Sequence, residues 1–139
     1  MTNKSFLIWF NDFLQDKSYK TIKILDKKII FFVPNQMTNW RVDTFFTKEP
    51  ETLEWIDNFE KKKNLIFWDI GANIGLYSIY NSIKNTSSTT IAFEPSSSNI
   101  RVLTRNISIN NFENSIKLMP IALNNKENYF EKMCEPKFI

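Results

Sequence analysis

Glycine is nearly absent, at two of 139 residues, where ordinary usage of about 7% would supply roughly ten. Alanine and arginine are scarce too, while asparagine, isoleucine and lysine abound, the pattern that AT-rich coding leaves. A glycine that survives in such a background is one the chain needs, and both survivors, Gly71 and Gly75, lie four residues apart. Histidine is missing altogether. That excludes Ser-His-Asp and Cys-His nucleophilic catalysis, histidine general bases and histidine-ligated metals. The single cysteine, Cys134, permits neither an internal disulfide nor a zinc cluster, so no metal is expected. The net charge of +3 is mild and only Lys61-Lys62-Lys63 forms a run. With no basic stripe, no nucleic-acid partner is expected. No apolar run is long enough for a membrane span or a secretory leader, and the expected setting is reducing and cytoplasmic.

What is present is apolar content of 42%, with 15% aromatics, ample for a packed core. Phe6, Trp9, Phe10, Phe13 and Leu14 recur at helical spacing over residues 5–15, which predicts an amphipathic helix packed on a core. Residues 20–24 and 28–33 flank Leu25-Asp26-Lys27 and read as a β-hairpin ending at Pro34. An irregular stretch then runs to Lys48, and Pro50 opens a helix with Leu53, Ile56 and Phe59 on one face. From residue 64 the pattern changes. Asn64 to Trp68 is a continuous apolar run, expected of a strand buried on both faces. A helix follows with Leu76, Ile79, Tyr80 and Ile83 on one stripe. Thr89–Phe93 is a second strand, and Ser96 to Ser98 offer caps for a helix over about 98–110. Ser115–Met119 is a third strand, with Ile121-Ala122-Leu123 as its possible continuation past Pro120. The order β-α-β-α-β is one mononucleotide-binding half of a doubly wound α/β, Rossmann-like sheet. Two regions follow: an N-terminal extension of helix, hairpin and lead-in helix at 1–63, and the α/β part at 64–139.

The first strand ends in Asp69-Ile70-Gly71-Ala72-Asn73-Ile74-Gly75. A glycine turn feeding a helix lets a ligand approach bare backbone beside unpaired helix N–H groups. A P-loop would need Lys-Ser/Thr after its last glycine, but Leu76-Tyr77 stands there. A dinucleotide loop wants G-x-G-x-x-G, but Asn73 and Leu76 replace its second and third glycines. The pattern D-x-G-x-x-x-G fits without exception at Asp69, Gly71 and Gly75. It suits S-adenosylmethionine (SAM), which carries an ammonium and a sulfonium but no phosphate. Glu94, nineteen residues beyond Gly75 at the end of the next strand, is placed to accept hydrogen bonds from both ribose hydroxyls. Pro95 stops the strand behind it. The same residues also fit a capping acid, plain turn glycines and a surface glutamate, and the spacing leaves a nicotinamide or flavin site open.

Phe67 to Ile79 resembles the nucleotide loop of FkbM-type SAM-dependent methyltransferases, and Ala92-Phe93-Glu94-Pro95 is similar to that family's ribose-binding strand end. Leu103-x-x-Asn106-Ile107-x-x-Asn110, Pro120-Ile121-Ala122-Leu123 and Glu49 to Ile56 continue the likeness, which covers about residues 41–131. It implies a class I methyltransferase fold and methyl transfer to oxygen on a glycan or natural-product acceptor. Asp69, Gly71, Ala72, Asn73 and Gly75 would hold the methionine end of SAM and Glu94 its ribose, while Ile121 and Ala122 would line the adenine. Glu51 and Thr52 would close over the methionine carboxylate, while Thr52 also fits a plain turn cap. On a helix, however, Asn110-Asn111 also reads as a plain C-cap pair.

The family pattern continues beyond this chain with further strands that build the acceptor side. Between Leu123 and Ile139 only one more short strand, Glu127 to Met133, is expected. The chain therefore reads as truncated, with the cofactor part present and no residue assignable as catalytic base. A half-sheet also leaves the strand at 64–69 with an apolar edge for another subunit or the hairpin to cover. The readings left open are a methyltransferase, a non-catalytic SAM-binding or interaction module, and an NAD(P)-binding Rossmann protein.

Overall fold

The computed structural model describes residues 3–16, 18–61 and 64–123. Lys62, Lys63, the strand expected at Glu127 to Met133 and Cys134 lie outside the described residues. The chain divides into two units, Met1–Asn58 and Phe59–Ile139.

The first unit begins with α1 (Asn3–Asp16). Its apolar face does not pack on a core as expected: Phe6, Trp9, Phe10, Phe13 and Leu14 remain 43–54% exposed. Their rings stack along the helix instead, Phe6 on Phe10 at 6.0 Å and Trp9 on Phe13 at 5.7 Å between centroids. The hairpin forms as its pattern predicts, with β1 (Tyr19–Ile24) antiparallel to β2 (Lys27–Phe32). Its two-residue turn puts both Leu25 (φ +45°) and Asp26 (φ +69°) in the left-handed region, the twist that favours tight hairpins.

The stretch expected to be irregular is helical: α2 (Gln36–Asp43) and the single turn α3 (Phe45–Lys48). What starts α2 is a cap rather than an apolar stripe. Asn35 Oδ1 accepts from the Thr38 N–H at 2.9 Å while Thr38 Oγ1 accepts from the Asn35 N–H at 3.3 Å, a reciprocal capping box. Lys20 pairs with Asp43 and donates to Asn39 Oδ1 at 3.2 Å, joining hairpin to helix. Pro50 opens α4 (Pro50–Asp57), which buries Leu53 and Ile56.

In the second unit Phe59 lies beyond α4 and sets its ring 5.7 Å from that of Phe67. There β3 (Ile66–Ile70), β4 (Thr89–Phe93) and β5 (Ile116–Met119) form a parallel sheet in the order β3-β4-β5. The strands are linked by α5 (Leu76–Lys84) and α6 (Ser97–Ile109). Register places Phe67, Asp69, Thr90, Ala92 and Ile116 on one face, and all five are buried. This face meets α5, through hydrogen bonds from Ser78 to Asp69 and from Asn81 to Thr90. At β3 the opposite face is exposed, so this strand is not buried on both sides. Ile66, Trp68 and Ile70 are 56–62% exposed, because no described element of this unit covers them. The third strand stops at Met119; past Pro120 the Ile121 N–H turns back to the Met119 carbonyl at 2.9 Å, so residues 121–123 do not extend it. As the C-cap reading expected, Asn110 caps α6 and Asn111 takes a φ of +60°.

Candidate functional site

All three parallel strands end at the same side of the sheet, and the residues singled out by sequence in this unit's loop and strand ends lie there. The segment after β3 is tied down link by link. The Gly71 and Ala72 N–H groups donate to the Phe93 carbonyl at 2.9 and 3.0 Å, and the Gly75 N–H donates to the Ala72 carbonyl at 2.8 Å. Three of five consecutive residues are left-handed: Gly71 (φ +79°), Asn73 (φ +53°) and Gly75 (φ +87°). That conformation costs glycine little, and asparagine is among the few other residues to adopt it readily.

The two glycines are needed for different reasons. A Cβ built on Gly71 would meet nothing within 4 Å, whereas one on Gly75 would lie 2.4 Å from Leu103 Cδ1. Gly71 therefore borders open space where a ligand can lie against backbone. Gly75 lets the start of α5 close on α6.

Two carboxylates flank the loop, both buried: Asp69 at 7% and Glu94 at 4% exposure. Asp69 Oδ2 accepts from Ser78 Oγ at 2.5 Å. Burial pushes the Asp69 carboxyl above its ordinary value; hydrogen bonds from the Ser78 side chain and backbone oppose the shift, and the charge of Glu94 adds to it. Glu94 binds protein at both oxygens: Oε2 accepts from the Asn73 N–H and Oε1 from the Ser96 N–H, each at 2.8 Å. A carboxylate has roughly four lone-pair directions, so two remain for hydroxyls of a ligand. Among the described residues neither carboxylate has a salt-bridge partner. Asn73 Oδ1 is a buried acceptor with no hydrogen-bond partner, an arrangement that asks for a donor.

Asp69, Gly71, Ala72, Asn73, Gly75 and Glu94 thus form one connected site. Ile121 and Ala122 follow β5 at the same end of the sheet, Ile121 half exposed and Ala122 partly buried. Glu51 and Thr52 belong to the first turn of α4, in the other unit. Sequence reasoning missed Ser78 as the partner of Asp69. The available signal was its place three residues into the helix, on a strand-facing position, opposite an acid that needs a donor once buried. It named Asn106 only in the family likeness and missed its contact to the loop, where Nδ2 donates to the Ile74 carbonyl at 2.8 Å. Ser96 is the positional N-cap of α6, but its hydroxyl makes no cap bond; the backbone amide is instead bound by Glu94.

This arrangement of strands, loop and helices is the partial Rossmann-like sheet of class I methyltransferases, as comparison with solved structures shows. The chain is similar to a SAM-dependent methyltransferase from Agrobacterium tumefaciens, with a TM-score of 0.56 at 13% identity, over 74% of this chain and 32% of that one. It is similar also to P. horikoshii TYW2 in complex with MeSAdo, with a TM-score of 0.53 at 17% identity, over 76% of this chain and 36% of that one. M. jannaschii TYW2 in complex with AdoMet gives a TM-score of 0.53 at 16% identity, over 73% of this chain and 42% of that one. The chain thus spans 32–42% of the length of these proteins. No family model matches it, and no curated protein matches it in sequence. No helix among the described residues is long and apolar enough to cross a membrane.

Proposed function

We propose that this chain binds S-adenosylmethionine at the β3–α5 loop and serves methyl transfer, to a hydroxyl oxygen of a glycan or natural product as in the FkbM-type family it resembles. The observation that carries the reading is a pair of buried carboxylates, Asp69 and Glu94, with no salt-bridge partner among the described residues. Such a site repels the pyrophosphate of a dinucleotide and attracts a ligand bearing an ammonium and a sulfonium. The residues present fit that ligand. Asn73 Oδ1 lacks a donor, which the ammonium supplies, and Gly71 leaves open space beside the backbone. Glu94 retains lone pairs for the ribose hydroxyls, and Ile121 and Ala122 offer apolar surface for the adenine.

When bound, the cofactor supplies an electrophilic methyl group on sulfur. The chain's part is to hold it: Glu94 and Phe93 keep the loop in shape, and Asp69 sets the electrostatic potential behind it. Calorimetry with SAM, S-adenosylhomocysteine and NADH tests the reading. SAM and S-adenosylhomocysteine should bind, and Glu94→Ala should weaken both by at least about tenfold. Equal affinity in the variant sinks the ribose role, and binding of NADH in place of SAM sinks the class.

A second reading, a SAM-binding or interaction module without catalysis, draws on the open sheet face with Ile66, Trp68 and Ile70 exposed. A methyl-transfer assay with glycan acceptors separates the two, since only the first predicts turnover.

A further inference from the structure

We infer that Asn106, on α6 and remote in sequence from the loop, is the positioning residue that sets the shape of the ligand loop. It is fully buried, and its Nδ2 donates to the Ile74 carbonyl at 2.8 Å across 32 residues of chain. Ile74 is itself fully buried and sits between left-handed Asn73 and left-handed Gly75. One residue of α6 therefore holds the Ile74–Gly75 peptide, between the two left-handed positions.

The other tethers of the loop act elsewhere. Phe93 holds Gly71 and Ala72 from the sheet, and Glu94 holds the Asn73 amide. The helix α6 reaches the far end of the loop, through Asn106 at the Ile74 carbonyl and through Leu103 against Gly75. Asn110 steadies the anchor from one turn further along, its Nδ2 donating to the Asn106 carbonyl at 2.8 Å. Loss of the Asn106 amide leaves a buried carbonyl without its donor. The Ile74–Gly75 peptide can then rotate, which loosens the loop backbone on either side of it. Among the described residues Asn73 Oδ1 is a buried acceptor with no partner, and it belongs to the loop whose far end Asn106 anchors. The consequence for a ligand rests on the SAM reading; the consequence for the loop does not.

The test compares Asn106→Ala with Asn81→Ala in the full chain. Asn81 is equally buried, but it bonds Ser88 and Thr90 rather than the loop. Amide hydrogen exchange without ligand is read at Asn73 and Gly75. Asn106→Ala should speed both by roughly tenfold relative to amides of β4, while Asn81→Ala leaves that ratio within about threefold. Calorimetry with S-adenosylhomocysteine should show the same order, with affinity lowered about tenfold in the first variant and under about threefold in the second. Equal changes in both variants overturn the inference. If the parent chain binds no S-adenosylhomocysteine, the cofactor reading fails, and the exchange ratio alone decides the role of Asn106. If Asn106→Ala does not fold, Asn106→Ser is measured, with the same expected and overturning results.

Discussion

The two units bury polar groups very differently. In Met1–Asn58, Thr38 is the one buried polar side chain among the described residues, and it closes the cap of α2. In Phe59–Ile139 eight are buried, Asp69 and Glu94 among them. Burying such groups is costly unless they are paired, and here they are paired into two networks at opposite ends of β4. One joins Asp69, Ser78, Glu94 and the loop. The other joins Asn81 to Ser88 and Thr90, with Asn85 Nδ2 donating to Asn81 Oδ1 at 2.9 Å. The first unit solves a packing problem with caps and a hairpin. The second spends core volume on fixing connections, and those at the strand ends are where the candidate site lies.

The contrast can be attacked from its strongest point downward. Asn81→Ala should cost about 3 kcal/mol, read as a shift in urea midpoint, because it strands several buried groups at once. Gly75→Ala should cost about 2–3 kcal/mol, since the left-handed backbone and the packed Leu103 side chain both resist a Cβ. At Gly71, where only the backbone objects, about 1–2 kcal/mol is expected. In the first unit Asn35→Ala should lose only about 1 kcal/mol with the cap. Lys20→Ala should change stability by under about 1 kcal/mol, because its ion pair with Asp43 is partly exposed. If the cap variant cost as much as Asn81→Ala, the division of labour between the units would be wrong.

Asp69 sharpens the comparison through pH. Its native carboxyl holds a proton more tightly than the unfolded chain does, so the native state binds more protons. Stability therefore falls as pH rises from near the ordinary value of 3.8 through the raised native one. Asp69→Asn keeps an acceptor for Ser78 but cannot ionise. It should flatten that slope and raise the neutral-pH melting temperature, while weakening SAM binding in calorimetry. A steeper slope in the variant would contradict the assignment of burial as the main cause.

Regular periodicity made most of the fold readable. The hairpin, α4 and the β-α-β-α-β order follow from alternation, strand-length apolar runs and strand-ending prolines. The helices α2 and α3 were not readable as apolar stripes, because a side-chain cap at Asn35 and Thr38 starts the run instead. The exposure of α1 and of Ile66, Trp68 and Ile70 was also hidden, since periodicity tells which face is apolar but not what lies against it. At the site, Asp69, Gly71, Asn73, Gly75 and Glu94 were visible as a spacing. Ser78 was not, and Asn106 stood out only in the family likeness, without its role as a support: such partners are chosen by proximity in space, which one sequence does not encode locally.

The left-handed positions carry a further consequence. Leu25, Asp26, Asn64, Asn73 and Asn111 adopt a positive φ alongside the two glycines, and three of the five are asparagine, whose codons are AT-rich. At Asn64 and Asn111 that exchange leaves an amide on an exposed turn. At Asn73 it places an amide oxygen inside the ligand loop, where a glycine of the same backbone shape would offer nothing. A residue that AT-rich codons favour thus carries, at this position, a hydrogen-bond acceptor that glycine lacks. On the proposed SAM reading, the loop's hold on the ligand's ammonium is then tied to the base composition that favours asparagine over glycine.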